Sequence, residues 1–279
     1  MVVADVDAPA LIAVFAGRGR WLVYAYLAPR RPPTTIWTGV DRVVQTVART
    51  TEWFRRRAGG CCVVAVPSDV LREKWTCVAD SSGLRLVVSL LAGGGSATSI
   101  PGAREQLGVD RSYNIALLFG ADYDEKDPAS VFEAFSQLED WHLIVAGDMA
   151  SHIPPTARVL RAYSGFVDER TRELLYSSAD LLVVSFRQGF DRNSGTLRDA
   201  ITWGIPVVCS EQPQLAEIVN KYRLGTLFHP GDPASLVRAV RTAPKELDAV
   251  QLARARAERS YRVTAQQVLD AVTFSAVIE

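Results

Sequence analysis

The chain has 279 residues, 48% of them apolar and 22% charged, with 31 basic and 31 acidic side chains. This is the composition of an ordinary globular protein, long enough for one large domain or two small ones. A net charge of zero gives no global electrostatic pull toward nucleic acid, so no nucleic-acid partner is expected.

Charge is uneven along the chain. Residues 1–60 hold nine arginines against Asp5, Asp7, Asp41 and Glu52, so the front is basic and the remainder acidic. That division suits two lobes, or simply two solvated surfaces. The four cysteines (Cys61, Cys62, Cys77, Cys209) form no C-x-x-C pair, and the three histidines are scattered. No metal site is expected. The sequence shows neither a leader nor an apolar run of membrane-spanning length, and the expected location is cytoplasmic.

Short apolar runs alternate with amphipathic stretches, the pattern of parallel strands joined by crossover helices. Strands are predicted at 21–26, 61–66 and 84–91, with a helix over 40–57 between the first two and a short one after Ser68-Asp69. The Arg55-Arg56-Arg57 run beside Trp53 and Phe54 allows a peripheral contact with an anionic membrane, or is a solvated helix end. A glycine-rich break, Gly93-Gly94-Gly95, then separates two domains, and Pro101 follows it.

Beyond the break the expected order is strand 115–119, helix 129–138, strand 142–146, a short strand over 159–163 and helix 168–177. Strand 180–185, a helix from Thr196, strand 206–209, helix 212–219, strand 226–228 and helix 233–241 follow. Residues 262–279 read as a last helix. A doubly wound sheet of this kind binds ligands at the carboxyl ends of its strands, so Gly120, Gly147, Gly165 and the loop 186–196 should line one edge. Any one of these glycines is equally a plain turn residue.

The segment 179–218 is the most informative. A buried strand delivers the chain to a polar loop, and Asn193-Ser194-Gly195-Thr196 opens a helix. The free amides of that first turn, with the helix dipole, form an anion site, and Gly195 permits close approach of a phosphate. Asp191 and Asp199, eight residues apart, are spaced to accept hydrogen bonds from sugar hydroxyls on either side of a bound diphosphate.

These residues resemble the donor-binding signature of the retaining GT-B glycosyltransferases called family 4. That signature is a serine or proline at a strand exit, a glutamate, seven residues, a second glutamate and a G-x-P-V-V run. Ser185, Asp191, Asp199 and Gly204-Ile205-Pro206-Val207-Val208 stand at those positions, both acids one methylene shorter. The resemblance implies that Asp191 contacts the transferred sugar and Asp199 the ribose. Phe119-Gly120 through Lys126 is similar to the family's F-G-R-x-x-x-x-K-G strand exit, with Ala121 in place of the arginine. Lys126 then neutralises the diphosphate, aided by Arg187 or Arg192. Tyr163-Ser164-Gly165-Phe166-Val167 resembles the stretch whose backbone holds the nucleobase. Residues 64–73 and 87–93 are similar to later parts of the family's first domain. Residues 1–30 read as a strand–helix–strand unit without the histidine found there.

The resemblance implies an α/β, GT-B-like fold with three parts. These are a partial acceptor-side Rossmann-like domain over 1–100, a complete nucleotide-sugar-binding Rossmann-like domain over 101–261, and a returning helix over 262–279. It implies a retaining glycosyltransferase with a nucleoside diphosphate sugar as donor and no metal or other cofactor. Lys126 and Asp191 are the expected catalytic residues. Gly120, Gly165, Phe166, Arg187, Asn193, Ser194, Gly195, Thr196 and Asp199 are the expected donor-binding residues. The rival reading is a non-catalytic subunit that binds the donor or scaffolds a partner. The short first domain would leave a sheet edge for self-association or a partner through residues 1–60. A dinucleotide-binding dehydrogenase is disfavoured, because no G-x-G-x-x-G follows the first strand.

Overall fold

The computed structural model describes residues 2–4, 21–24, 62–66, 72–73, 76, 85–88, 96–121, 124–190 and 193–274. The expected helix over 40–57 lies outside them, as do Asp191 and Arg192. The chain divides into two compact units. One comprises Met1–Ala92, Asp191–Asn193 and Arg259–Glu279, and the other Gly93–Phe190 and Ser194–Glu258.

In the first unit, strands β1 (Val2–Ala4), β2 (Trp21–Tyr24), β3 (Cys62–Val66) and β4 (Arg85–Val88) form a parallel sheet in sequence order. All three strands predicted from apolar runs are present over the described parts of those runs.

The second unit is a six-stranded parallel sheet of order β10-β9-β8-β5-β6-β7. Its strands are β5 (Asn114–Phe119), β6 (Trp141–Gly147), β7 (Val159–Ser164), β8 (Leu181–Val184), β9 (Val207–Ser210) and β10 (Gly225–Phe228). The helices are α1 (Ala103–Gln106), α2 (Pro128–Ser136), α3 (Glu169–Ser178), α4 (Gly195–Trp203), α5 (Pro213–Tyr222), α6 (Pro233–Thr242) and α7 (Ala249–Glu258). The last helix, α8 (Tyr261–Phe274), belongs to the first unit. Three elements are additions to the sequence reading: α1, α7 and a 3₁₀ turn at Asp148–His152. The first and last are barely one turn long. Helix α7 is rich in Ala and Arg with a weak apolar stripe, so periodicity does not announce it.

Strand alternation builds the core. Ile115, Leu117, Ile144, Leu182, Val184, Val207 and Cys209 face one side, where α3, α4, α5 and α7 cover them. Ala116, Leu118, Leu143, Val145, Leu181, Val183 and Val208 face the other, under α2 and α6. Successive side chains in a strand point to opposite faces, and here both faces are buried. That is why these strands read as unbroken apolar runs.

Helix α4 is held at both ends. The Ser194 hydroxyl accepts from the Leu197 amide at 3.3 Å, and Gly204 ends the helix with φ 73°. Arg256 of α7 donates from Nε to the Ile201 carbonyl and from Nη2 to the Thr202 carbonyl, each at 2.9 Å. Helix α7 is in turn tied to α5. Lys221, Tyr222 and Arg254 all donate to Glu258, at 2.8, 2.8 and 2.7 Å. Burial pushes the Glu258 carboxyl up, but these three donors outweigh it and hold it at about 2.

The carboxyl ends of β5 and β6 approach closely. Gly120 donates its amide to the Ala146 carbonyl at 3.0 Å. Gly147 has φ 100°, and a Cβ there would stand 2.2 Å from the Gly120 carbonyl oxygen. Both the left-handed backbone and the clash oppose any side chain. Gly147→Ala is therefore expected to destabilise the second unit by at least about 2 kcal/mol. Its thermal midpoint should fall by about 5 °C or more. Differential scanning calorimetry checks this, and an unchanged midpoint would remove the close approach.

Candidate functional site

Strand order reverses between β5 and β8. From β5 the chain moves outward through β6 and β7, then returns to β8 on the other side and continues through β9 and β10. At such a reversal the loops leaving the two central strands turn to opposite faces and leave a crevice between them. Here the described residues of those loops are 120–121 and 124–127 after β5, and 185–190 and 194 before α4.

Backbone bonds join the two loops. Arg187 donates its amide to the Glu125 carbonyl at 2.7 Å, and Asp127 donates to the Ser185 carbonyl at 3.4 Å. The buried Ser185 hydroxyl donates to the Asp127 carbonyl at 2.8 Å. Lys126 and Phe186 form an isolated antiparallel bridge. Asp127 then caps α2, accepting from the Ser130 amide and hydroxyl.

Lys126 is buried, only 5% exposed, with Nζ 4.1 Å from the centre of the Phe186 ring. A cation over an aromatic face gains about 0.5–2 kcal/mol, depending on its desolvation. Phe186 stacks on Phe190, with ring centres 3.6 Å apart. The segment after β9 holds this loop from the side. Ser210 accepts from the Phe186 amide at 3.0 Å, Gln212 donates to the Arg187 carbonyl at 2.9 Å, and Gln214 donates to the Phe190 carbonyl at 2.7 Å. Cys209 is buried close by, and burial pushes its thiol far up despite the pull of Lys126. It is an inert core group.

Helix α4 presents its amino end at the same edge. Its Gly195 and Thr196 amides have no acceptor among the described residues, and a Cβ on Gly195 would meet nothing within 4 Å. The Thr196 hydroxyl donates to the Phe119 carbonyl at 3.3 Å, fixing the helix start against the end of β5. Unpaired amides and the helix dipole at an open helix start suit an anion. Both side-chain polar atoms of Asn193 are buried with no partner among the described residues.

Asp199, one turn into α4, is buried. Its Oδ2 accepts from the Tyr176 hydroxyl at 3.0 Å and from Arg172 Nη2 at 3.1 Å. Burial pulls Arg172 down, but its bond to Asp199 outweighs this and leaves its pKa raised. Tyr176 lies well above the usual tyrosine range, first because it is buried and then because it faces Asp199. It therefore stays a hydroxyl donor.

The structure thus brings Gly120, Lys126, Arg187, Ser194, Gly195 and Thr196 to the reversal edge, with Arg187 exposed and Lys126 under Phe186. Gly165, with φ 74° and open space around it, and Phe166, 96% exposed, stand at the end of β7, the far edge strand. Sequence reasoning missed Arg172, Tyr176, Gln212 and Gln214. The four-residue spacing of Arg172 and Tyr176 on a predicted helix was the available signal for that pair. Among the described residues no cluster of His, Cys, Asp or Glu could hold a metal ion, and no helix is long and apolar enough to cross a membrane.

Residues 114–245, just under half of the chain, match the family model described as Glycosyl transferases group 1. The resemblance read from the sequence falls on the same segment. No curated protein matches the chain. Among solved structures, it is similar to HepE of Anabaena in complex with UDP, at 16% identity and a TM-score of 0.73 over 98% of this chain and 78% of that one. The same protein in complex with UDP-glucose matches at 15% identity and a TM-score of 0.69, with the same coverage. Sucrose-phosphate synthase of Thermosynechococcus elongatus matches at 18% identity and a TM-score of 0.69, over 92% of this chain and 68% of that one. At these identities the likeness is one of fold, and the fold is GT-B-like α/β.

An open helix start and a lysine on the loop after β5 share the reversal edge, and an anion is the ligand such an edge would suit. Inorganic pyrophosphate should bind, and Lys126→Ala should weaken it by about 1.5–3 kcal/mol, the worth of a charge-assisted hydrogen bond. Calorimetry measures this. Unchanged affinity in a folded variant would take Lys126 out of the site.

Proposed function

We propose that this chain transfers a sugar from a nucleoside diphosphate sugar to an acceptor with retention of anomeric configuration, as the resemblance to family 4 glycosyltransferases implies. The observation that carries the reading is the open amino end of α4 at the strand-order reversal, the edge at which the loop after β5 carries Lys126. The group 1 match over the same residues supports it, as do structural neighbours solved with UDP and UDP-glucose.

In this reading the diphosphate lies against the Gly195 and Thr196 amides, with the Gly120 backbone alongside. Negative charge grows on the diphosphate as the glycosidic bond breaks, and fixed dipoles already aimed at it need no reorganisation. Lys126 leaves the Phe186 face to pair with that charge. Arg187, exposed on the same loop, supplies the second cation that Ala121 does not. Asp199 accepts from the ribose, Phe166 and the Gly165 backbone meet the base, and Asn193 and Asp191 meet the sugar. The first unit is the acceptor side, and the chain works in the cytoplasm. The scheme requires no metal.

A second reading, a donor-binding subunit without turnover, is favoured by two observations. The residue that should neutralise the diphosphate is buried under an aromatic ring, and Ala121 stands where the family has arginine. Self-association through residues 1–60 belongs to that reading.

A thermal-shift screen of nucleoside diphosphate sugars tests both. A ligand at a hundred times its dissociation constant stabilises by about 2.7 kcal/mol. Uridine diphosphate sugars are expected to raise the midpoint. Proton NMR of the transfer product should then show the anomeric configuration of the donor. Inverted product would end the retaining assignment, and no stabilisation by any donor would end the reading itself. Binding without turnover, from a chain that light scattering shows to be an oligomer, would select the subunit.

A further inference from the structure

The main chain passes between the two units at 92–93, 190–191, 193–194 and 258–259. Three of these four passages are fastened to α4 by bonds within the second unit. Ser194, where the chain re-enters that unit, is the residue that caps α4. Ala97, just after the first entry, donates its amide to the Thr202 carbonyl at 3.0 Å. Arg256, just before the last exit, donates to the Ile201 and Thr202 carbonyls at 2.9 Å each.

Ordinary capping does not account for this arrangement. The Gly204 and Ile205 amides already close the end of α4 on the Ala200 carbonyl, at 2.8 and 3.1 Å. Water could serve the next two carbonyls, as it does at many helix ends. Instead they accept from the segments that lead into and out of the unit. Arg256 meets no carboxylate among the described residues, and burial lowers its pKa from the usual arginine value. Its charge faces the negative end of the α4 dipole. Arg256 also crowds Gly204, where a Cβ would stand 3.2 Å from its Nη2 and 3.1 Å from Leu252 Cδ2.

Helix α4 has only nine residues. A helix this short is held by its surroundings and has little tendency to persist half formed. An opening that unwinds one end therefore unwinds the other. A ligand held only by the wound amino end opposes every such opening, by about a hundredfold at a hundred times its dissociation constant. Bonds at the carboxyl end share that protection.

We propose that α4 couples its two ends: a diphosphate at the amino end fastens the chain passages bound at the carboxyl end, with Arg256 as the positioning residue that joins them. This rests on the nucleotide-sugar reading and gives that site a conformational consequence. Coupling of this kind is reciprocal, so loosening the carboxyl end weakens the ligand.

Amide hydrogen exchange on the full chain tests it, without UDP and with UDP at about a hundred times the dissociation constant of each variant. The Arg198 amide, bonded to the Ser194 carbonyl, reads α4, and the Ala97 amide reads the passage. The Leu236 amide of α6, bonded to the Asp232 carbonyl, is the control. UDP should slow Arg198 and Ala97 by similar factors, at least about tenfold, and leave Leu236 unchanged. Arg256→Met keeps the stem but removes the donors. It should cut the Ala97 slowing at least about threefold while the Arg198 slowing persists, and weaken UDP severalfold. Arg256→Lys, which keeps the charge but not the two-pronged donor, should fall between them. A merely structural Arg256 would speed exchange without ligand yet leave the effect of UDP on Ala97 intact, and that result overturns the proposal. A wild type in which UDP slows Arg198 alone, or slows Leu236 as much as Ala97, also overturns it while sparing the donor reading. UDP that slows neither Arg198 nor Ala97 overturns both.

Discussion

The adjacency of β5 and β8 is the constraint on which the candidate site depends. These strands are far apart in sequence, yet they pair directly, Ala116 with Leu181 and Leu118 with Val183. Because strand order reverses there, the two chains leave for helices on opposite faces of the sheet, and a crevice opens where they part. Four contacts then join them: Arg187 to Glu125, Asp127 to Ser185, the Ser185 hydroxyl to Asp127, and Lys126 over Phe186. The amino end of α4 reaches the same place because β8 leads into it. Buried apolar strands fix the adjacency, and the polar loops inherit their positions from it.

The helices around the site serve that geometry in a graded way. Helix α4 carries the open amides, and its far end is held by Arg256 from α7. The same α7 is anchored to α5 through Glu258, whose carboxylate has three donors. The segment leading into α5 also supplies Gln212 and Gln214, which hold the 185–190 loop by its carbonyls. Neutral amides and hydroxyls shape the loop, and ion pairs secure the supports behind it. Those ion pairs are partly solvent-exposed and individually weak. Their value lies in fixing where the helices sit.

Much of this was legible in the sequence, for physical reasons that can be named. A parallel sheet covered on both faces writes itself as apolar runs such as 115–119 and 181–184, and glycines such as Gly120 and Gly147 mark strand ends where backbones crowd. Ser194-Gly195-Thr196 before an amphipathic run announces a helix start. The burial of Lys126 was not legible, because it depends on Phe186 arriving from sixty residues away. The partners of Asp199 were hidden for the same reason. Its spacing from Asp191 suggested a pair of sugar-binding acids, whereas the structure commits half of its carboxylate to Arg172 and Tyr176. Helix α7 escaped notice because its packing face is carried by few apolar residues, Leu252 and Ala255 among them.

In the proposed function the reversal crevice receives a diphosphate, met by the Gly195 and Thr196 amides of α4 and by Lys126. A crystal structure of the chain grown with UDP tests this most directly. Phosphate oxygens are expected within hydrogen-bond distance of the Gly195 and Thr196 amides, with Lys126 withdrawn from the Phe186 ring to meet them. A nucleotide bound elsewhere, with the Gly195 and Thr196 amides facing only water, would contradict it.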